Sequence, residues 1–294
     1  MPESIALENL INWAKEPAEY WLKNILNVSL FTARNVEDSE PFEFDSLQKY
    51  SFRSNIFALR MFSQDKEWSY RQLYNANKLK VGINGRKDFD EVCSRMNELD
   101  ADLINQCMAQ EKVPALFCCG DVEISGMLTA SRDRSSQIIV KFGDYKHKFH
   151  VEALLCHWAL LRVSDAPVVE TRLICFPEKG KPQECVCFRN VPGAAAMEGR
   201  WQQLLKLYAG SFYRLPFLLP STLFKMGTEP GHDEVEIIEA AVKELKGERY
   251  VNGKTICEPP PLTRFFSPEL INNKAVIKEL QMLCELFYGQ EGLC

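Results

Sequence analysis

The sequence predicts a mixed α/β (α+β) protein, a sheet flanked by helices, and three observations lead to that class. Between Val113 and Gly143, three short β-prone runs, ALFCC, VEISGMLTAS and SQIIVKFG, are separated by Gly120-Asp121 and by the polar turn Arg132-Asp133-Arg134-Ser135. An apolar-striped stretch, HVEALLCHWALLR, follows with helical spacing. Two more strand-like runs, ETRLICF and ECVCFRN, then flank the turn KGKP. Strands in succession, a covering helix and further strands argue for layers packed around one sheet.

The remaining elements are justified in chain order. Apolar residues at Leu7, Leu10, Ile11, Ala14, Ala18, Trp21, Leu22 and Ile25 share one helical face, with Ser4 available as an N-cap. Pro17 should kink or divide that helix, because it removes a hydrogen bond and crowds the preceding turn. The acidic stretch VEDSEPFEF interrupts the pattern, and an aromatic-rich, mostly helical region then runs to about Lys112. Beyond the strands, Met197, Trp201, Leu204, Leu205 and Tyr208 are in helical register. After the proline-rich stretch RLPFLLPSTLF, further helices are predicted near Glu234 to Lys246 and Lys274 to Phe287. Residues 1–112 form a helix plus helical insertion and residues 113–294 the sheet-bearing core, together one composite domain.

Composition narrows the function classes. At 294 residues with 46% hydrophobic content, the chain is long enough for a substantial core. A net charge of −5 and a pI near 5.6 supply no overall field attracting nucleic acid, so any such contact needs a local basic patch or a partner. The start MPESIALENL lacks a basic, then apolar, leader, and no apolar run approaches the roughly 20 residues of a membrane span, so a cytoplasmic protein without membrane contact is expected. The 11 cysteines read as buried thiols of a reducing compartment. Cys118-Cys119 and Cys185-x-Cys187 lie close together, but no C-x-x-C pair exists and no histidine completes a cluster, so no metal site is expected.

The order of three strands, helix and two strands is that of the restriction-endonuclease-like (PD-(D/E)XK) nucleases, with an N-terminal helical insertion. The opening IALENLINWAKEPAEYWLKNIL resembles the first helix of nuclease domains attached to bacterial recombination helicases. With EPFEFDSLQKYSF, EALLCHWAL, TRLICF and GRWQQLLKLYAGSFYRLPFLLP, it resembles the C-terminal domains of the gamma chains of exodeoxyribonuclease V. The resemblance covers nearly the whole chain and implies a fragment of a larger subunit. The cysteine that some relatives use for an iron–sulfur cluster falls at Glu16, so no cluster is expected.

The resemblance also says where catalytic residues would stand. Active relatives place Mg²⁺ between carboxylates at the ends of two strands, with a lysine steadying the attacking water. The first strand reads Gly126-Met127-Leu128-Thr129, with Thr129 at the aspartate slot. The second carries Val140 and Phe142 at the aspartate and lysine slots, and an upstream histidine falls at Arg86. A hydroxyl and two apolar side chains cannot replace the oxygens a hard cation requires, so no intrinsic activity is expected. A rival reading uses Asp144-Tyr145-Lys146, literally aspartate, any residue, lysine, with Glu123 or Asp121 as the second carboxylate of a working nuclease. Its plain alternative is a Gly143-Asp144 turn leading into the next helix.

For nucleic-acid contact the sequence offers Arg132, Arg134, Lys141, Lys146 and Lys148 against Asp133 and Asp144, a local +3, and Lys179 and Lys181 in the KGKP turn. Aromatics from Phe52 to Tyr74 suit stacking on bases, but their helical spacing favours core packing. The resemblance implies assembly with the helicase–nuclease beta chain and the helicase alpha chain, which use Mg and ATP; this domain needs no cofactor. It further implies that the gamma subunit helps split double-stranded DNA ends, guides the unwound single strands and scans for a recombination signal. Here the domain would serve as scaffold and strand guide. A docking module without DNA contact is the third reading.

Overall fold

The computed structural model describes residues 3–28, 46–63, 65–80, 82–96, 101–176, 184–190, 194–213, 218–229, 233–246, 248–251, 254–257 and 274–289. The chain is mixed α/β. Strand β1 (Ser4–Ala6) leads directly into helix α1 (Leu7–Lys15), whose buried face is Leu7, Leu10, Ile11, Trp13 and Ala14. Ser4 is therefore a strand residue and not a cap: the N-cap position is Ala6, with no side-chain hydrogen bond. Pro17 does divide the helix. Glu16 leaves helical geometry (φ −145°, ψ 68°), and Pro17 opens the short α2 (Pro17–Tyr20), followed by a π-helical turn, Trp21–Ile25.

The predicted helical insertion comprises α3 (Ser46–Phe62), α4 (Lys66–Asn75), α5 (Ile83–Met96) and α6 (Ala101–Met108). Asp65 caps α4, its carboxylate accepting from the amides of Glu67 (2.9 Å) and Trp68 (3.1 Å). Strands β2 (Glu111–Cys119) and β3 (Val122–Ala130) form an antiparallel hairpin. Gly120 closes it at φ +57°, where a side chain would be strained.

Two three-stranded sheets result, ordered β1-β3-β2 and β4-β5-β6, where β4 is Ser136–Lys141, β5 Val169–Cys175 and β6 Glu184–Asn190. The single sheet expected from sequence is thus two at the level of backbone pairing. β4 does not pair along β3; it pairs in parallel with β5, after the crossover helix α7 (His147–Val163). The sheets meet at a side-chain junction, where Gln137 Nε2 donates to the Thr129 carbonyl at 2.9 Å. The short β1, parallel to β3, was not foreseen: three residues carry too little pattern.

Helix α7 is buried on nearly every side, not along one stripe, because α1, β2, β5 and α9 surround it. Around it lies the main core, with Trp13, Trp158, Trp201 and Phe188 inaccessible. The outer face of β4 and β5 builds a second core with the helical insertion. Ile138, Phe142, Ile174 and Phe176 meet Phe52, Ile56, Leu73, Phe89, Cys93 and Met96. Beyond β6 come α8 (Ala194–Ser211), α9 (Pro220–Thr228), α10 (Glu234–Lys246), the hairpin β7 (Glu248–Val251) and β8 (Lys254–Cys257), and α11 (Lys274–Tyr288). Sequence periodicity located α8, α10 and α11. Helix α9 hid in the proline-rich stretch because Pro220 opens it at N1 and the Glu244 carboxylate of α10 caps it, accepting from the Ser221 and Thr222 amides.

Candidate nucleic-acid interface

The residues that the resemblance assigns to the catalytic slots lie as follows. Strand alternation turns Val140 and Phe142 toward the helical insertion. The Phe142 ring lies 5.4 Å from that of Phe57 and 5.9 Å from that of Phe176. Thr129, next to last in β3, is tied through its carbonyl to Gln137 near the start of β4, whereas Val140 and Phe142 lie at and just beyond its end. The three positions therefore do not share one strand end. Arg86, on α5, is held within the insertion: it forms a two-pronged pair with Glu67, bonds Asp90 at 3.3 Å and lies 4.5 Å above the Tyr70 ring.

Lys141 points the other way. Its ammonium is 2.8 Å from Glu152 of α7, and Lys15 of α1 reaches the same carboxylate at 2.7 Å. Burial pushes the Glu152 carboxyl upward, but the two lysines outweigh it and hold the group below the usual carboxylate range. This triad lies in the wall of a groove of about 930 Å³. Lys15 and Lys23 enter from α1 and the π-helical turn, Lys49 and Arg53 from α3, and Lys141, Lys146 and Lys148 from the β4–α7 segment. Against these seven cations stand Glu16, Glu19, Asp144 and Glu152, a net +3 in a chain whose total is −5. Lys23 pairs with Glu19 at 3.0 Å, and Lys148 lies 3.9 Å from Glu16. Burial, and next a hydrogen bond with Glu19, push Glu16 upward; the same bond, then Lys23, draws Glu19 down.

Thus the cations grouped by sequence are divided by the fold. Arg132 is exposed at the β3–β4 turn, while Arg134, at φ 56°, donates to the Val163 carbonyl at 2.8 Å and so closes the end of α7. The six residues of β4 separate them from Lys141, Lys146 and Lys148 by about 20 Å. Lys179 and Lys181 lie outside the described residues. Asp144 and Lys146 line the groove, whereas Asp121 and Glu123 sit at the β2–β3 turn, away from its lining. Among the described residues, no group of three or more His, Cys, Asp or Glu side chains is arranged to hold a metal ion. Sequence reading missed Lys15, Lys23, Lys49 and Arg53, which are separated from Lys141 by roughly 90 to 125 positions and converge only through the fold.

Behind the groove, α7 carries three buried histidines. His147 Nε2 donates to the Ala14 carbonyl (3.4 Å), leaving Nδ1 to accept from the Tyr288 hydroxyl (2.8 Å). His150 Nε2 donates to the Phe287 carbonyl (2.8 Å) and Nδ1 accepts from Tyr145 (2.6 Å). His157 is bonded to Thr171 (3.0 Å) and Asn190 (2.9 Å). Burial pushes their pKa values down to about 3, 4 and 4, so each is a neutral structural bridge at pH 7. Among the described residues, no helix is long and apolar enough to cross a membrane.

Comparison with known proteins identifies the family of the chain. The chain is 25% identical over 130 residues to the RecBCD enzyme subunit RecC of Escherichia coli (strain K12). That match covers 44% of this chain but only 12% of the relative's length. A family model described as the RecC C-terminal domain matches residues 2–227, more than three quarters of the sequence. The chain therefore belongs to the RecC C-terminal domain family.

Proposed function

We propose that this chain is a non-catalytic, nuclease-like domain of the gamma subunit of a helicase–exonuclease complex, serving as scaffold and strand guide at double-strand DNA ends. The observation that carries the reading is the packing of Val140 and Phe142. Where active relatives of the PD-(D/E)XK fold present carboxylate and lysine, these side chains pack into the apolar core of the helical insertion. Hydrocarbon offers a divalent ion no ligand, and a solvated metal would have to displace Phe57 and Phe176 from the Phe142 ring. Cleavage then belongs to the beta chain, and ATP and Mg²⁺ are used by the alpha and beta chains. The E. coli relative is named as a subunit of the RecBCD enzyme, which supports the same assembly for this chain.

The test is a cleavage assay with the purified chain on linear duplex and on single-stranded DNA, with Mg²⁺ or Mn²⁺. No metal-dependent product is expected, while co-expressed alpha and beta chains co-purify with it. Cleavage that disappears in Asp144→Asn would replace this reading by a working nuclease built on Asp144 and Lys146.

A further inference from the structure

We propose that the groove bounded by α1, α3 and the β4–α7 segment is a track for one strand of nucleic acid, held by its phosphodiester backbone. It runs along the Lys141 side of β4 and past its end, where Phe142 and Asp144 also contribute to its lining. The inference rests on the reading that the domain handles DNA, and it adds the site, the strandedness and the residues.

The first argument is convergence. The ammonium groups of Lys141, Lys146 and Lys148 all approach the Phe149 ring, at 5.7, 4.9 and 6.0 Å from its centre. One ring cannot neutralise three charges, and crowding them costs Coulomb energy unless an anion lies among them. Lys141 is compensated by Glu152, and Lys148 in part by Glu16. Among the described residues, Lys146, Lys49 and Arg53 have no carboxylate within ion-pair distance, although all three line the groove. Burial, and next the charge of Lys148, draw the Lys146 pKa down. Asp144 and Glu16 offset this only in part, so a further anion in the groove would stabilise the Lys146 cation.

The second argument is shape. A compact anion needs one nest, but here the cations are spread along a path. On the far side of Glu16, Lys146 and Lys148 a second hollow of about 790 Å³ continues toward Pro220 and Phe224 of α9. The two hollows share Lys15, Glu16, Glu19, Lys146 and Lys148, so the cationic ridge between them is reached from both sides. A flexible chain with a charge at every unit fits such a path. The third argument is the aromatic wall. Tyr50 stacks on the buried Phe149, with 6.2 Å between centroids and 18° between planes, and the half-buried Tyr50 and Tyr20 are the rings that the groove offers to a ligand. Cationic grooves with ring faces are how single strands are held without sequence preference, backbone on the charges and bases on the rings.

The experiment measures binding of the full chain to a fluorescent oligothymidylate, to a duplex of equal length and to an oligoglutamate peptide, across a salt series. The expected result is tighter binding of the single strand than of duplex or peptide. It should weaken at least about tenfold in the Lys49→Ala, Arg53→Ala, Lys146→Ala triple variant, with the salt slope reduced by about 2, or roughly 0.7 per lost phosphate contact. Arg132→Ala, at the distant turn, should leave affinity within about twofold, and circular dichroism should confirm that every variant is folded. Unchanged binding in the triple variant, preference for duplex, or equal binding of the acidic peptide would overturn the track. If the track fails while the chain still assembles with the alpha and beta chains, the scaffold reading stands without it.

Discussion

The Lys141 ammonium lies 2.8 Å from the Glu152 carboxylate, joining the end of β4 to the first turns of α7 beneath the candidate strand track. Because Lys15 grips the other carboxylate oxygen at 2.7 Å, one acid ties three elements together and cancels part of the groove's charge. Two effects are expected from Glu152→Gln. Stability should fall by about 2–3 kcal/mol, the cost of leaving largely buried lysines without their counter-ion, discounted for the fifth of the side chain that remains exposed. At the same time oligonucleotide affinity should rise, since the groove gains one net positive charge. Urea unfolding and fluorescence anisotropy on the same preparation separate the two.

Stability should depend on pH through His147, His150 and His157. Their folded pKa values, about 3, 4 and 4, lie below the ordinary value of 6.5, so the folded protein keeps them neutral. As pH falls below about 6.5, the unfolded chain takes up protons that the folded chain refuses, and stability is progressively lost down to about pH 4. The upper bound on the slope is about 4 kcal/mol per pH unit if all three contribute. Urea midpoints measured from pH 7.5 to 5 should show this decline, and His150→Gln should make it shallower. A flat profile would mean that the imidazoles are hydrated.

Gly126 has an architectural role. A Cβ built there would stand 2.8 Å from the Leu7 Cβ, so the glycine lets the start of α1 lie directly on β3. Gly126→Val should cost about 1–3 kcal/mol by overpacking, read as a lowered melting temperature. The variant should leave oligonucleotide contacts at the groove unaltered when assayed below that temperature.

Restoring the motif should not restore the enzyme. Val140→Asp with Phe142→Lys places two ionisable groups among Ile138, Phe176 and the aromatic residues of the insertion. A loss of more than about 4 kcal/mol is expected, with no metal-dependent cleavage gained. A folded, active double variant would show that the insertion is not the obstacle.

Much of this architecture was legible because its signals are local. The turns Gly120-Asp121 and Arg132-Ser135, the period of α7, α8, α10 and α11, and the break at Pro17 are each written within a few residues. What escaped needed long-range information. Ser4 reads as a cap because a three-residue strand has no pattern of its own, and its pairing partner, Glu123, lies more than 100 positions away. The cations misled in a complementary way. Arg132 and Lys141 are neighbours in sequence but occupy opposite ends of an extended strand, whereas Lys49 and Arg53 reach Lys141's groove from another layer. Charge density along a chain is not charge density in space. Val140 and Phe142 differ again: their apolar character was plain, but the helical insertion that receives them had no readable docking surface.

The central proposal, that the described strands hold no divalent cation, is tested most directly by titrating the metal-free chain with Mn²⁺ and counting bound ions by electron paramagnetic resonance. The account predicts only weak, non-stoichiometric binding that Asp144→Asn does not alter. One tightly held Mn²⁺ per chain, lost in that variant, would contradict it.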